Sequence, residues 1–145
     1  MTIVVDTGPL VSLIDRSDRT SALMQQVFSE LGHDMVIPDP VVTEVDYLLR
    51  SRSGGDAARL FLADVAGGKL HRTVLDHRTF ARAAQIDERY ADLQLGIVDA
   101  SVMAVAERER AAILTFDFRD FRATKPRRGR SWRFVIEERD LRRFD

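Results

Sequence analysis

The chain has 145 residues, 45% of them hydrophobic, which favours one globular domain and argues against a disordered chain. It contains no cysteine, which excludes disulfides and thiolate metal ligands. Its formal net charge of −1 does not by itself announce a nucleic-acid partner.

Thr2 to Val5 is a short β-branched run ending at Asp6, and it predicts a buried first strand. No basic segment precedes it and no apolar run is long enough to span a membrane, so a cytoplasmic protein without membrane attachment is expected. Gly8-Pro9 follows, the proline suited to the first turn of a helix reaching about Ile14. A second helix is predicted from Thr20 to Leu31, closed by Gly32, and a second strand from Met35 to Ile37. Pro38 and Pro40 end that strand, and a third helix runs from Val41 to about Arg50. The Ser53-Gly54-Gly55 turn introduces a fourth helix, Asp56 to Ala66, stopped at Gly67-Gly68. Leu70 to Leu75 reads as a strand, His77 to Tyr90 as a fifth helix and Val98 to about Arg110 as a sixth. Ala112 to Phe116 is a further strand, and Arg133 to Ile136 is a candidate for one more. Lys125 to Arg130, rich in Pro, Gly and Arg, reads as a mobile loop.

Short apolar strands separated by amphipathic helices predict an α/β layered fold with a mainly parallel sheet and helices on both faces. No repeat or linker divides the sequence, so residues 1–145 are expected to form one domain. Between Arg119 and Arg143, ten basic residues against four acidic ones give a local charge of +6, which leaves −7 for the rest. This basic C-terminal segment, about 125–145, reads either as a grip on phosphates or as a solvated terminus. His33, His71 and His77 share no metal-ligand spacing, so no histidine metal site is expected.

Four acidic residues sit where acids are not expected. Asp6 ends an apolar strand. It reads as a turn-initiating aspartate or as a ligand group, because strand carboxyl ends form the crevice of an open parallel sheet. Glu44 falls in the stripe of Val41, Val45 and Leu48 and should be desolvated, which demands a salt-bridge partner or a metal cation. Asp99 opens the sixth helix, where it suits the helix dipole, yet Val102, Met103 and Ala106 at i+3, i+4 and i+7 turn it inward. Asp117 ends the strand Ala112–Phe116 and repeats the placement of Asp6.

Several carboxylates in one crevice require cations, because like charges a few ångströms apart cannot all remain ionised. Mg²⁺ or Mn²⁺ suits oxygen ligands, activates water and holds a phosphodiester, so hydrolysis of a nucleic-acid backbone needs no covalent nucleophile. Asp46 is set aside because i+2 from Glu44 points around the helix. Asp92 and Asp120 are further candidates for the acidic surface, left outside the four because neither interrupts an apolar stripe.

The segments Val4-Val5-Asp6-Thr7, Val41-Val42-Thr43-Glu44-Val45, Gly96-Ile97-Val98-Asp99-Ala100-Ser101 and Leu114-Thr115-Phe116-Asp117 together resemble the blocks of PIN-domain nucleases. More narrowly, the ordered set is similar to the VapC toxins of type II toxin–antitoxin systems, and Arg119-Asp120-Phe121 resembles the end of the last block. The resemblance covers nearly the whole chain. It implies a three-layer α/β/α domain in which Asp6, Glu44, Asp99 and Asp117 bind Mg²⁺ or Mn²⁺. Thr115 would orient a carboxylate or water, although it also reads as an ordinary β-branched strand residue. The resemblance further implies RNA cleavage, a homodimer and a VapB-like antitoxin partner. Beyond Phe134 the tail is longer and more charged than in many relatives, and reads as an RNA arm, an antitoxin contact or an inert helix. Two other classes stay open: a receiver-like regulatory domain with an acidic phosphoacceptor pocket, and a PIN fold that binds RNA or a partner without cleaving.

Overall fold

Ile3, Val4 and Val5 are wholly buried, and such a continuous apolar strand is stable only where both faces of a sheet are covered. This segment is β1 (Ile3–Val5), at the centre of the computed structural model, which describes residues 1–144. It pairs in parallel with β2 (Met35–Pro38) on one side and β4 (Ala112–Leu114) on the other, while β3 (Arg72–Thr73) lies beyond β2. The sheet order is therefore β3-β2-β1-β4. The helices are α1 (Thr7–Ile14), α2 (Ser21–Leu31), α3 (Asp39–Arg52), α4 (Gly55–Ala66), α5 (His77–Arg89), α6 (Gly96–Glu109), α7 (Phe118–Ala123) and α8 (Glu138–Arg142).

From β1 the chain steps outward to β2 and β3, then returns across β1 to β4. Right-handed crossovers in both directions lay helices on both faces, giving the three-layer α/β/α architecture expected from the sequence. Strand order reverses between β1 and β4, and in open parallel sheets the ligand crevice forms outside the strand carboxyl ends at such a point. Among the described residues no helix is long and apolar enough to cross a membrane.

Several predicted boundaries move. Pro40 lies in the first turn of α3, where its missing N–H is not needed, so the helix begins at Asp39. The predicted strand Leu70–Leu75 contracts to two residues at the sheet edge. Arg133–Ile136 makes only a parallel bridge, Phe134 to Ile113, with Ile113 N–H donating to Arg133 O at 2.8 Å. Residues 125–130 form no regular element but are tethered, Lys125 N–H to the Tyr90 hydroxyl at 3.1 Å and Arg127 N–H to Glu107 at 3.0 Å. Helix α7 was not predicted. It is held by Phe121, whose ring packs edge-on against Trp132 at 6.4 Å, while the Trp132 indole N–H donates to Thr124 at 3.0 Å.

The core stripe of α3 is Val41, Val45 and Leu49, all at 0% exposure, and Leu48 stands at its edge. Truncating Leu49 to Ala should cost about 2–5 kcal/mol in a denaturant titration. The Leu48→Ala variant should lose clearly less, and equal losses would contradict this packing.

Candidate active site

The parallel register of β1 and β4, Val5 opposite Leu114, places the next residues of the two strands, Asp6 and Thr115, side by side. Asp6 N–H donates to Leu114 O at 2.9 Å, and the Thr115 hydroxyl donates to Asp6 Oδ2 at 2.7 Å. The other Asp6 oxygen accepts the Thr7 N–H at 2.8 Å and caps α1. Thr115 Oγ1 in turn accepts the Asp117 N–H at 2.9 Å. One buried hydroxyl thus links the acids that follow both central strands. Gly8 lets α1 start against this corner, because a Cβ there would lie 3.1 Å from the Phe116 ring.

Asp117 is the N-cap of α7 and accepts the Asp120 N–H at 3.4 Å, which brings the third residue of that helix back toward the cap. Asp99 comes from the first turn of α6. That helix begins at Gly96, whose φ of +77° suits glycine and whose N–H donates to Asp87 at 3.0 Å. One carboxylate oxygen each from Asp99, Asp117 and Asp120 lie within 4.8 Å of one another.

All four acids singled out in the sequence, Asp6, Glu44, Asp99 and Asp117, line a single cleft of about 710 Å³. Glu44 reaches it by a different route from the one predicted. It does not sit among core residues; it is half-buried beside Leu48 at the stripe's edge, and both residues form a wall of the cleft. The Thr7 hydroxyl, buried and without a hydrogen-bond partner among the described residues, belongs to the same lining. Helix α8 contributes Glu138, Leu141 and Arg142 to the rim, so part of the charged tail stands at the cleft.

Asp120, weighed in the sequence and left outside the four, stands with Asp99 and Asp117. Its signal was the Asp117-x-x-Asp120 spacing of a helix start, which is readable only once α7 is recognised. Asp92 is exposed in a short 3₁₀ turn, away from the cleft lining. Asp46 is bound by Arg50 at 3.1 Å on the outer face of α3. His33, His71 and His77 are exposed and belong to neither the cleft nor the acidic trio.

Burial, followed by repulsion from Asp6, Asp117, Asp120 and Glu44, pushes the Asp99 carboxyl up to about 8. Burial also raises Asp6, opposed by the bonds from Thr115 and Thr7 and reinforced by the charges of Asp117 and Glu44. Asp117 is raised by burial, with the Asp120 N–H working against the shift. A cation beside Asp6, Asp99 and Asp117 would favour their ionised forms. The cleft's donors are carboxylate and hydroxyl oxygens, which fit a hard divalent ion, and Asp99, Asp117 and Asp120 are close enough to share one.

A parallel α/β/α sheet with converging carboxylates at its strand switch point defines the class of fold and site. Residues 3–125 match the PIN domain, and the chain belongs to that family. Its similarities fall among the VapC proteins. It is 32% identical over 125 residues to Ribonuclease VapC26 of Mycobacterium tuberculosis, covering 86% of this chain and 93% of that one. Among solved structures it resembles Mycobacterium tuberculosis VapC20, a sarcin-ricin loop cleaving toxin, with a TM-score of 0.70 at 20% identity, over 76% of this chain and 85% of the other. It also resembles DNA-bound VapBC from Salmonella typhimurium, with a TM-score of 0.64 at 19% identity, over 92% and 96% of the two chains. At those identities the structures speak for the fold. Membership of the PIN family displaces the receiver-like alternative.

The raised carboxyls have a measurable consequence. Asp99 holds its proton more tightly folded than unfolded, so its contribution to stability is complete below about pH 4 and is lost as pH rises through about 8. Asp6 and Asp117, also raised, act in the same direction. Calorimetry on metal-free protein should show Tm falling across that window, with a smaller fall in Asp99→Asn. Added Mg²⁺ should raise Tm more at about pH 8 than at about pH 5, and equal shifts at both would contradict the electrostatics.

Proposed function

We propose that the chain is a metal-dependent endoribonuclease acting as the toxin of a type II toxin–antitoxin pair. The observation that carries this reading is the convergence of Asp6, Glu44, Asp99 and Asp117 on one cleft of a PIN-family chain. Its similarity to a protein named as a ribonuclease supports RNA as the substrate.

Asp99, Asp117 and Asp120, with Asp6 beside them, would hold Mg²⁺, or Mn²⁺ in its place. Such an ion supplies a more acidic bound water and offsets the charge that develops on the phosphoryl group. Thr115 fixes the rotamer of Asp6, keeping that carboxylate aimed at the cleft through a buried hydrogen bond. Asp99 gives up its proton when a cation takes its place, so binding is coupled to pH. Glu44 makes no hydrogen bond or ion pair among the described residues and stands on the α3 wall, where it can accept the proton of an attacking water. Water adds to phosphorus, the bridging P–O bond breaks, and the departing oxygen leaves with a proton drawn from solvent.

Partner assignments rest on separate support. Similar folds include DNA-bound VapBC from Salmonella typhimurium and a toxin–antitoxin complex from Klebsiella pneumoniae, which favours a VapB-like antitoxin for this chain. Exposed Tyr47, Leu60 and Phe80 give α3, α4 and α5 apolar surface suited to a second copy, and a homodimer is proposed. We place the protein in the cytoplasm, where its RNA substrate and antitoxin would meet it, and treat residues 1–145 as one domain.

The test is cleavage of total cellular RNA by purified protein with and without Mg²⁺. Asp6→Asn and Asp99→Asn should each reduce the rate by on the order of a hundredfold or more. Thr115→Val should fall between them and wild type, and Asp92→Asn should match wild type. Undiminished cleavage by both Asp6→Asn and Asp99→Asn would refute the reading. Salt-sensitive RNA binding without turnover under any divalent ion would favour a non-cleaving PIN fold.

A further inference from the structure

The acidic cleft is not the largest cavity in the molecule. A second one, of about 1120 Å³, lies at the other end of α6, bounded by the start of α5, the last turns of α6 and residues 126–133. Its lining is basic in a chain whose net charge is −1. Helix α5 contributes Arg78 and Arg82, the last turn and C-cap of α6 contribute Arg108 and Arg110, and the segment after α7 contributes Arg127, Arg128 and Arg133.

The acids in this cavity are already engaged. Glu107 accepts Arg82 Nε at 2.8 Å and Nη2 at 3.0 Å, and also the Arg127 N–H at 3.0 Å. Asp76 caps α5 through the Thr79 N–H at 2.8 Å. Arg108 is spread over Thr73, Thr79 and the Val74 carbonyl, and Arg133 binds the Arg110 carbonyl at 2.7 Å. The side chains of Arg78, Arg110, Arg127 and Arg128 make no hydrogen bond or ion pair among the described residues; the Arg78 charge helps to hold the Asp76 carboxyl down, and those of Arg110, Arg127 and Arg128 face the cavity without such a partner. The same contacts make the wall a built one, because Glu107 and Tyr90 pin the loop that carries Arg127 and Arg128.

We propose that this cavity is an accessory site for the phosphodiester backbone of RNA, gripping the strand away from the acidic cleft. Arginines dispersed over three elements suit successive phosphates better than a single compact anion. Of the rings in the lining, Trp132 is 6% exposed with its indole N–H committed to Thr124, and the exposed His77 stands at the start of α5. Arginine contacts to phosphates position RNA without reading its sequence. Along α6, Arg108 of this cavity lies nine residues beyond Asp99 of the cleft, about 14 Å, so a strand must be longer than a dinucleotide to occupy both. The choice of RNA as ligand rests on the nuclease reading above.

The test is fluorescence anisotropy of a labelled oligouridylate of about 20 nucleotides, in EDTA, so that binding is read without cleavage. The variant Arg78→Glu/Arg127→Glu/Arg128→Glu is compared with wild type and with a charge-matched control, Arg50→Glu/Arg59→Glu/Lys69→Glu. A glutamate at position 78 lies in the first turn of α5, which tolerates an acid. The cavity variant should bind about tenfold or more weakly and lose about 2 from the slope of log K against log salt. The control should stay within about twofold of wild type, and hydrolysis of a dinucleotide should be unchanged in both. Wild-type affinity in the cavity variant, or equal losses in variant and control, would overturn the site. So would ATP binding that the cavity variant abolishes while oligouridylate binding persists. Loss of binding only in the cavity variant, with no protein cleaving RNA under any divalent ion, would instead remove the nuclease reading and leave the site standing.

Discussion

The buried hydroxyl of Thr115 sits between two acids, giving its proton to Asp6 and taking the N–H of Asp117. That arrangement follows from the parallel register of β1 against β4, which allows no choice about what comes next: whatever follows Val5 must face whatever follows Leu114. Carboxylates are thereby held at the carboxyl ends of the strands, where α1 and α7 begin and the first turn of α6 faces them. The resulting repulsion is the constraint that the rest of the site answers. Hydrogen bonds restrain Asp6 and Asp117, burial and neighbouring acids push the Asp99 carboxyl up to about 8, and the proposed hard cation would relieve all of them together.

Helix α6 connects the two charged regions of the molecule. Its first turn presents Asp99 to the acidic cleft, its middle from Ala100 to Ala106 is buried, and its last turns carry Arg108 and Arg110 into the basic cavity. A helix apolar on nearly every side must run through the core, so both ends are fixed by the same packing. Charge segregated this way along one rigid element suits the proposed RNA substrate, which arginine at one end would draw in and a pocket holding the proposed cation would meet at the other.

Much of this was legible in the sequence because strand ends and helix starts mark themselves chemically. Asp6 and Asp117 end apolar runs, Asp99 follows Gly96 at a helix opening, and all three reach the cleft as expected. Glu44 reached it although the stripe assigned to its helix was displaced by one residue: Leu49, not Leu48, completes the core face with Val41 and Val45. Neighbouring leucines on an amphipathic helix both fit the periodicity, and only packing against the sheet decides between them. Asp120 was left outside the four because α7 is only six residues long and is held by Trp132 and Phe134, aromatic partners brought in from beyond the loop. Short elements stabilised by tertiary contacts leave little local signal. The basic cavity was hidden for the same reason, since its arginines come from segments as far apart as Arg78 and Arg133. The tail's excess charge was visible; its division between the cavity and the rim of the cleft was not.

The central claim is that acids from remote segments share a divalent ion. Anomalous scattering from a crystal grown with Mn²⁺ tests it directly, because the peak locates the ion without any assay of activity. A peak within the cleft, bonded to oxygens of Asp99 and Asp117, is the result this account requires. Manganese bound elsewhere while the cleft holds none would contradict it.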